Sequence, residues 1–199
     1  MSTIQFSGKY YTGIGSRAAP GYILDMMKEI GTMNALKGHI LRSGGAGGAD
    51  TAFENGHKQV TSDHMEIYIH KEGFMGRSSK ESCVYLGTCI NSMILAKKHY
   101  LPPKEAPWAT WDKMKSYTKG LMARNGYQVL GRNLDTPSIY TVCWTKDAEH
   151  VGGTRQAMYV SEAYDVPVYN LADPKIYSSF RYALDEFFKN LDRSDLELK

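Results

Sequence analysis

Three short runs of glycine and other small residues are the stretches of this sequence best suited to chemistry. They occupy positions 13–17 (GIGSR), 43–50 (SGGAGGAD) and 152–156 (GGTRQ). Glycine lets the backbone approach a phosphate that a Cβ atom would keep at a distance, and a helix N-terminus directs free N–H groups at an anion. Tight strand-to-helix turns use glycine for steric reasons alone, but three such runs together predict a binding site for a phosphorylated ligand.

Four side chains in and near these runs have two interpretations each. Arg17 and Arg155 can pair with phosphate oxygens or be solvated surface arginines. Asp50 can cap its helix or hydrogen-bond a ribose hydroxyl, and Trp144 can stack on a base or belong to the core. The predicted ligand-binding residues are Gly15, Ser16, Arg17, Ser43, Gly44, Gly45, Ala46, Gly47, Asp50, Trp144, Gly152, Gly153, Thr154, Arg155 and Gln156.

The sequence contains no motif typical of a metal site or of a catalytic nucleophile. Its six histidines form no HxH or HExxH arrangement, and no G-x-S-x-G motif is present. We therefore expect no catalytic residue, no metal and no cofactor apart from the nucleotide-type ligand. Cys83, Cys89 and Cys143 form no CxxC pair and are expected to be reduced, partly buried thiols.

The elements that must position the three loops alternate between strand and helix. Strands are predicted over 10–15, 39–43, 65–69, 138–144 and 166–171, with helices after the glycine-rich loops and at the C-terminus. This order is typical of an α/β fold with a doubly wound, Rossmann-like parallel sheet, in which all three loops share the carboxyl edge.

The middle of the chain is harder to interpret. Positions 70–107 contain turn residues and three prolines, with a helical stretch around 89–97. After them, Asp112 is predicted to cap a helix that ends near 125–126.

Length and composition indicate one ordinary globular domain. The 199 residues fit a single nucleotide-binding domain over 1–191 with a polar tail at 192–199, and the net charge of +3 is weak for duplex DNA. The N-terminus lacks the apolar run of a signal peptide, and no apolar stretch is long enough for a membrane span. We expect a cytoplasmic protein with no membrane partner.

The motifs resemble those of the superfamily that unites DNA-processing protein A (Smf, a DNA recombination mediator) with the Lonely Guy phosphoribohydrolases, abbreviated SLOG. Residues 15–17 look like its first-strand motif and 43–50 like its second-loop motif ending in aspartate. Residues 124–125 with Gly131 are similar to the mediator's Arg-Asn segment, and 153–157 to the last loop. The compact form is similar to small stand-alone members commonly encoded by bacteriophages.

This resemblance implies a Rossmann-like protein that self-associates as a homo-oligomer and binds nucleotides. We expect non-catalytic binding of a phosphorylated nucleotide, or of an NAD-derived or cyclic nucleotide signal. Sequestering such a signal would be a counter-defence role in the host cytoplasm if a phage encodes the chain.

Two alternatives stay open. One is single-stranded DNA binding in the manner of the mediators, through Arg17, Lys146, Arg155 and nearby aromatic residues. The other is Lonely Guy-like hydrolysis of an N-glycosidic bond, with a carboxylate such as Asp50, Glu54, Asp147 or Glu149. Hydrolysis is disfavoured because Ala157 stands where the hydrolases carry a supporting glutamate.

Overall fold

The computed structural model describes residues 7–191, which contain a six-stranded sheet in which all neighbouring strands are parallel. The sheet order is β4-β3-β2-β1-β5-β6. The strands are β1 (Tyr10–Gly13), β2 (Ile40–Ser43), β3 (Met65–Ile69), β4 (Val84–Leu86), β5 (Thr141–Cys143) and β6 (Val168–Asn170).

Helices cover both faces of this sheet. They are α1 (Gly21–Leu36), α2 (Ala49–Lys58), α3 (Ile90–Lys98), α4 (Ser116–Leu130), α5 (Thr154–Ala163) and α6 (Pro174–Lys189). One core joins α1, α2 and α6 to the sheet, with Ile30, Phe53 and Leu184 fully buried in it. A second core contains apolar residues of α3, α4 and α5. The predicted doubly wound, Rossmann-like α/β fold is therefore confirmed.

The direction of winding reverses between β1 and β5. From β1 the chain adds β2, β3 and β4 on one side, and it then returns to add β5 and β6 on the other. At such a reversal the two strand-to-helix connections leave in opposite directions and open a crevice outside the carboxyl ends of the strands. Ligands of open parallel sheets bind in this crevice, so the fold places the loops after β1 and β5 around it.

Several sequence-predicted bounds are wrong. The strands predicted from 10, 138 and 166 are shorter than expected, and β4 was not predicted at all. Asp112 does not cap α4: it lies in a short 3₁₀ turn and pairs with Lys97 at 3.0 Å. α4 continues past 125–126 to Leu130 and is capped by Gly131, whose φ is +73° and whose N–H donates to the Tyr127 carbonyl, whereas Gly126 lies inside the helix against Leu95 of α3. The predicted tail at 192–199 lies outside the described residues.

No helix among residues 7–191 has the length and apolar character that a membrane crossing requires. The three cysteines are free thiols, of which Cys143 is buried, Cys83 is half-buried and Cys89 is exposed.

Candidate functional site

The loops that follow β1, β2 and β5 are bound to one another at the reversal point. The Ser16 N–H donates to the Trp144 carbonyl at 3.1 Å, and the Ala49 N–H at the start of α2 donates to the Ser16 carbonyl at 3.5 Å. Below them the buried Ser43 hydroxyl donates to the Gly13 carbonyl at 2.8 Å. Residues from all three loops thus form one connected edge.

The N-terminus of α2 offers unused hydrogen-bond donors at this edge. Within residues 7–191 the backbone N–H groups of Gly47 and Gly48 have no acceptor, whereas the Ala46 N–H donates to Asp50 Oδ2 at 3.3 Å. The helix dipole adds partial positive charge at the same place. Arg17 is exposed beside it and makes no ion pair with any residue that the structure describes. Donors, dipole and a charged side chain together suit an anionic ligand.

Two glycines of the second loop are required by the protein's own packing. A Cβ atom on Gly44 would lie 2.0 Å from Arg124 Nη1, and one on Gly48, where φ is +76°, would lie 2.7 Å from the Arg17 Cα. Gly47 and Gly153 differ, because a Cβ there would meet only Met75 at 3.9 Å or nothing within 4 Å. The steric explanation therefore accounts for the first pair, while Gly47 and Gly153 border open space.

A buried ion pair lies beneath the glycine-rich loop. Arg124 Nη1 donates to the Gly44 carbonyl at 2.5 Å and lies 4.0 Å from Asp50 Oδ2, and both side chains are more than 90% buried. Burial raises the pKa of Asp50 to about 6, although Arg124 and the backbone N–H groups of Ala46 and Gly15 oppose this shift. The Asp50 carboxylate anchors the loop because it pairs with Arg124 and accepts the hydrogen bond from the Ala46 N–H.

The raised pKa predicts a pH dependence that Asp50→Asn should remove. The folded protein takes up a proton near pH 6 and the unfolded chain near pH 3.8, so Asp50 destabilises the fold increasingly as pH rises through 6. The unfolding free energy of the parent protein should gain about 2 kcal/mol relative to Asp50→Asn as pH falls from 6.5 to 4. Urea unfolding at several pH values measures this difference.

His57 provides a control of opposite sign for that experiment. Burial lowers its pKa to about 4, so the neutral ring stabilises the fold above pH 6.5 and this stability is lost as pH falls toward 4. Over the same pH range the parent protein should lose about 3 kcal/mol relative to His57→Gln. If the unfolding free energy has the same pH dependence in the parent protein and in Asp50→Asn, the raised pKa of Asp50 is contradicted.

A turn over residues 73–77, within the segment 70–107 that was hard to interpret from the sequence, covers part of the glycine-rich loop. Phe74 packs edge-on against His70 with ring centroids 4.6 Å apart, and its ring lies 5.8 Å from the Arg124 guanidinium carbon. Arg77 pairs with Glu54 of α2 at 2.5 Å. The contacts of Phe74 with Arg124 and of Arg77 with Glu54 join residues distant in sequence, so the sequence pattern of the turn alone does not predict them.

The third loop divides into an open part and a buried part. Gly152 and Gly153 are exposed and Thr154 is half-buried, and the Asn125 amide donates to the Gly153 carbonyl at 3.0 Å. Arg155 is buried with Nη2 3.4 Å from the Tyr100 hydroxyl, and the Gln156 amide donates to the Ala96 carbonyl at 3.0 Å.

Arg155 and Gln156 thus contact the α3 side of the molecule, and Trp144 is half-buried against the core. The predicted ligand contacts of these three residues stay predictions.

Comparisons with known proteins agree with the fold. No family model matches the chain, and no curated protein matches it. One solved structure is similar, with a TM-score of 0.51 and 12% sequence identity over 94% of this chain and 83% of the other. It is DNA processing protein A from Helicobacter pylori, reported with a single-stranded DNA binding mode. At this identity the likeness shows that the chain has the Rossmann-like fold of that protein.

Proposed function

We propose that this protein binds a phosphorylated nucleotide or a nucleotide-derived molecule in the crevice between β1 and β5. The observation that carries the proposal is the N-terminus of α2, where the Gly47 and Gly48 N–H groups lack acceptors among residues 7–191. The exposed Arg17 adds a positive charge beside these donors. A phosphate group would take hydrogen bonds from the loop and pair with this arginine.

Binding without turnover is the form of this function that the site supports best. Asp50 and Glu54 are the carboxylates nearest the loop, and each is already paired with an arginine. Asp147 and Glu149 of the hydrolytic alternative lie in the exposed segment before the third loop.

We propose that the protein binds a nucleotide signal as a homo-oligomer. The role we expect from this binding is phage counter-defence, in which the protein sequesters the signal. The free thiols of the protein are in keeping with the reducing cytoplasm.

Single-stranded DNA is the second candidate ligand. The similar structure of DNA processing protein A is described by its single-stranded DNA binding mode, and a DNA phosphodiester can use the same donors as a nucleotide phosphate. The affinity of an oligonucleotide depends on its length and falls with salt concentration, because it contacts several cationic side chains and releases counterions. The affinity of a single nucleotide has no such length dependence and a weaker dependence on salt.

The removal of Arg17 tests the proposed function. Small molecules released by denaturing the purified protein should be identified by mass spectrometry, and their affinity should then be measured by calorimetry. Arg17→Ala should weaken binding at least tenfold, about 1.4 kcal/mol, because a charge-assisted contact to phosphate is lost.

Lys189→Ala is the matched control for that experiment. It removes the same charge from the exposed last residue of α6, where Lys189 lies 3.7 Å from Glu186 of the same helix, and should leave the affinity unchanged. Equal losses for both variants, or an affinity that rises with oligonucleotide length and falls steeply with salt, would contradict the nucleotide proposal. The second result would favour single-stranded DNA.

A further inference from the structure

The turn over residues 73–77 lies directly on the glycine-rich loop. Met75 Cε lies 3.9 Å from the position of a Cβ on Gly47, and Arg77 Cδ and Nε lie 2.9 Å from that position on Gly45. The turn is closed by a hydrogen bond of 2.9 Å from the Gly73 N–H to the Arg77 carbonyl. The Arg77 side chain therefore lies against the loop that carries the unused donors.

Arg77 is held there by Glu54, which follows Asp50 by one turn on the same face of α2. Arg77 Nη2 and Glu54 Oε2 are 2.5 Å apart, with Glu54 1% exposed and Arg77 21% exposed. Glu54 Oε1 is also buried and has no hydrogen-bond partner among residues 7–191. Burial raises the pKa of Glu54 even though Arg77 opposes this shift. One carboxylate oxygen of Glu54 thus lacks a hydrogen-bond donor, and the Arg77 side chain is partly accessible to solvent.

Resting on the proposed function, we propose that Arg77 is a ligand-binding residue that exchanges Glu54 for a phosphate group at the glycine-rich loop. The exchange leaves Glu54 with a partner, because Lys58 Nζ lies 3.7 Å from the same Oε2 atom. It also needs little movement, because the Arg77 side chain already borders Gly45. In the ligand-free protein Glu54 therefore competes with the ligand for Arg77.

Pyrophosphate binding measured by calorimetry tests the exchange, with inorganic pyrophosphate as the probe. Arg77→Ala should weaken binding about tenfold, and Glu54→Gln should strengthen it several-fold because the competing charge is gone. The control Arg132→Ala removes an exposed arginine that stacks on Tyr85, and it should have no effect. Circular dichroism checks that each variant is folded.

The double variant Arg77→Ala/Glu54→Gln separates the exchange from a general charge effect. If Glu54 acts by holding Arg77, Glu54→Gln has no effect in the Arg77→Ala background, and the two changes are strongly non-additive. A gain from Glu54→Gln that persists without Arg77 would overturn the exchange. This variant also avoids leaving Glu54 charged and buried without its arginine.

Failure of the exchange and failure of the proposed function give different results. Weaker binding by Arg17→Ala together with unchanged binding by Arg77→Ala would overturn the exchange and leave the proposed function intact. If the parent protein and all variants bind neither pyrophosphate nor a nucleotide, both proposals fail. Losses for both arginine variants, with the non-additive double variant, are the expected outcome.

Discussion

Replacing Arg124 with methionine should lower the unfolding free energy by about 3 to 5 kcal/mol, the usual cost of removing one partner of a buried ion pair. Arg124 is 8% exposed and lies 4.0 Å from Asp50, which is 3% exposed. The substitution leaves Asp50 buried without its counter-charge and removes the hydrogen bond to the Gly44 carbonyl. Urea unfolding at pH 7 measures the loss.

The double variant Arg124→Met/Asp50→Asn shows whether the unpaired charge causes this loss. With both charges removed, the double variant should be more stable than Arg124→Met alone, although it still lacks the bond to Gly44. Arg132→Met is the matched control, because Arg132 is exposed in the turn that follows α4, and it should change stability by less than about 1 kcal/mol. Equal losses of unfolding free energy for Arg124→Met and Arg132→Met would contradict a stabilising role of the buried ion pair.

The consequence for binding follows from the same contacts. Asp50 holds the Ala46 N–H, and Arg124 holds the Gly44 carbonyl, so the ion pair fixes two points of the loop that ends at Gly47 and Gly48. A loop that has lost one of these contacts would have to be ordered by the ligand. We therefore expect weaker phosphate binding whenever the pair is broken.

The sequence predicted the structure correctly where the residues of a single segment determine its conformation. The alternation of strand-like and helix-like segments predicted the βα units, and the glycine runs predicted the connections at the carboxyl edge. The bounds of β3 (Met65–Ile69) were also correct, but the half-exposed strand that its alternating pattern predicted is wrong, because four of its five residues are buried and Glu66 is half-buried.

Contacts between distant segments explain what the sequence did not predict. β4 has only three residues, and its pairing with β3, not a pattern of its own, defines it. Arg124 was identified only through a family resemblance, because an arginine within a helix gives no sign that it is buried. The Arg77–Glu54 pair joins a turn and a helix 23 positions apart, and neither residue alone indicates the other.

The position of α2, and with it the loop, depends on a close approach to α1. A Cβ on Gly56 would lie 1.9 Å from the Lys28 carbonyl oxygen of α1 and 2.7 Å from its carbonyl carbon. Thr32 of α1 also donates a hydrogen bond of 3.0 Å to the Gly56 carbonyl. Both partners of this contact are backbone, so no side-chain rotation can relieve a clash, and the helices must separate to admit even a methyl group.

Gly56→Ala should therefore destabilise the protein by about 3 kcal/mol, the upper part of the range for overpacking, with a fall in Tm of roughly 10 °C. Gly21→Ala makes the same chemical change at the first residue of α1, where nothing lies within 4 Å, so alanine should stabilise the helix by up to about 1 kcal/mol. Thermal unfolding of both variants shows directly whether Tm falls for Gly56→Ala and rises for Gly21→Ala. Effects of Gly56→Ala as small as those of Gly21→Ala would mean that α1 and α2 can separate freely. In that case the rigid support we assign to the glycine-rich loop would not exist.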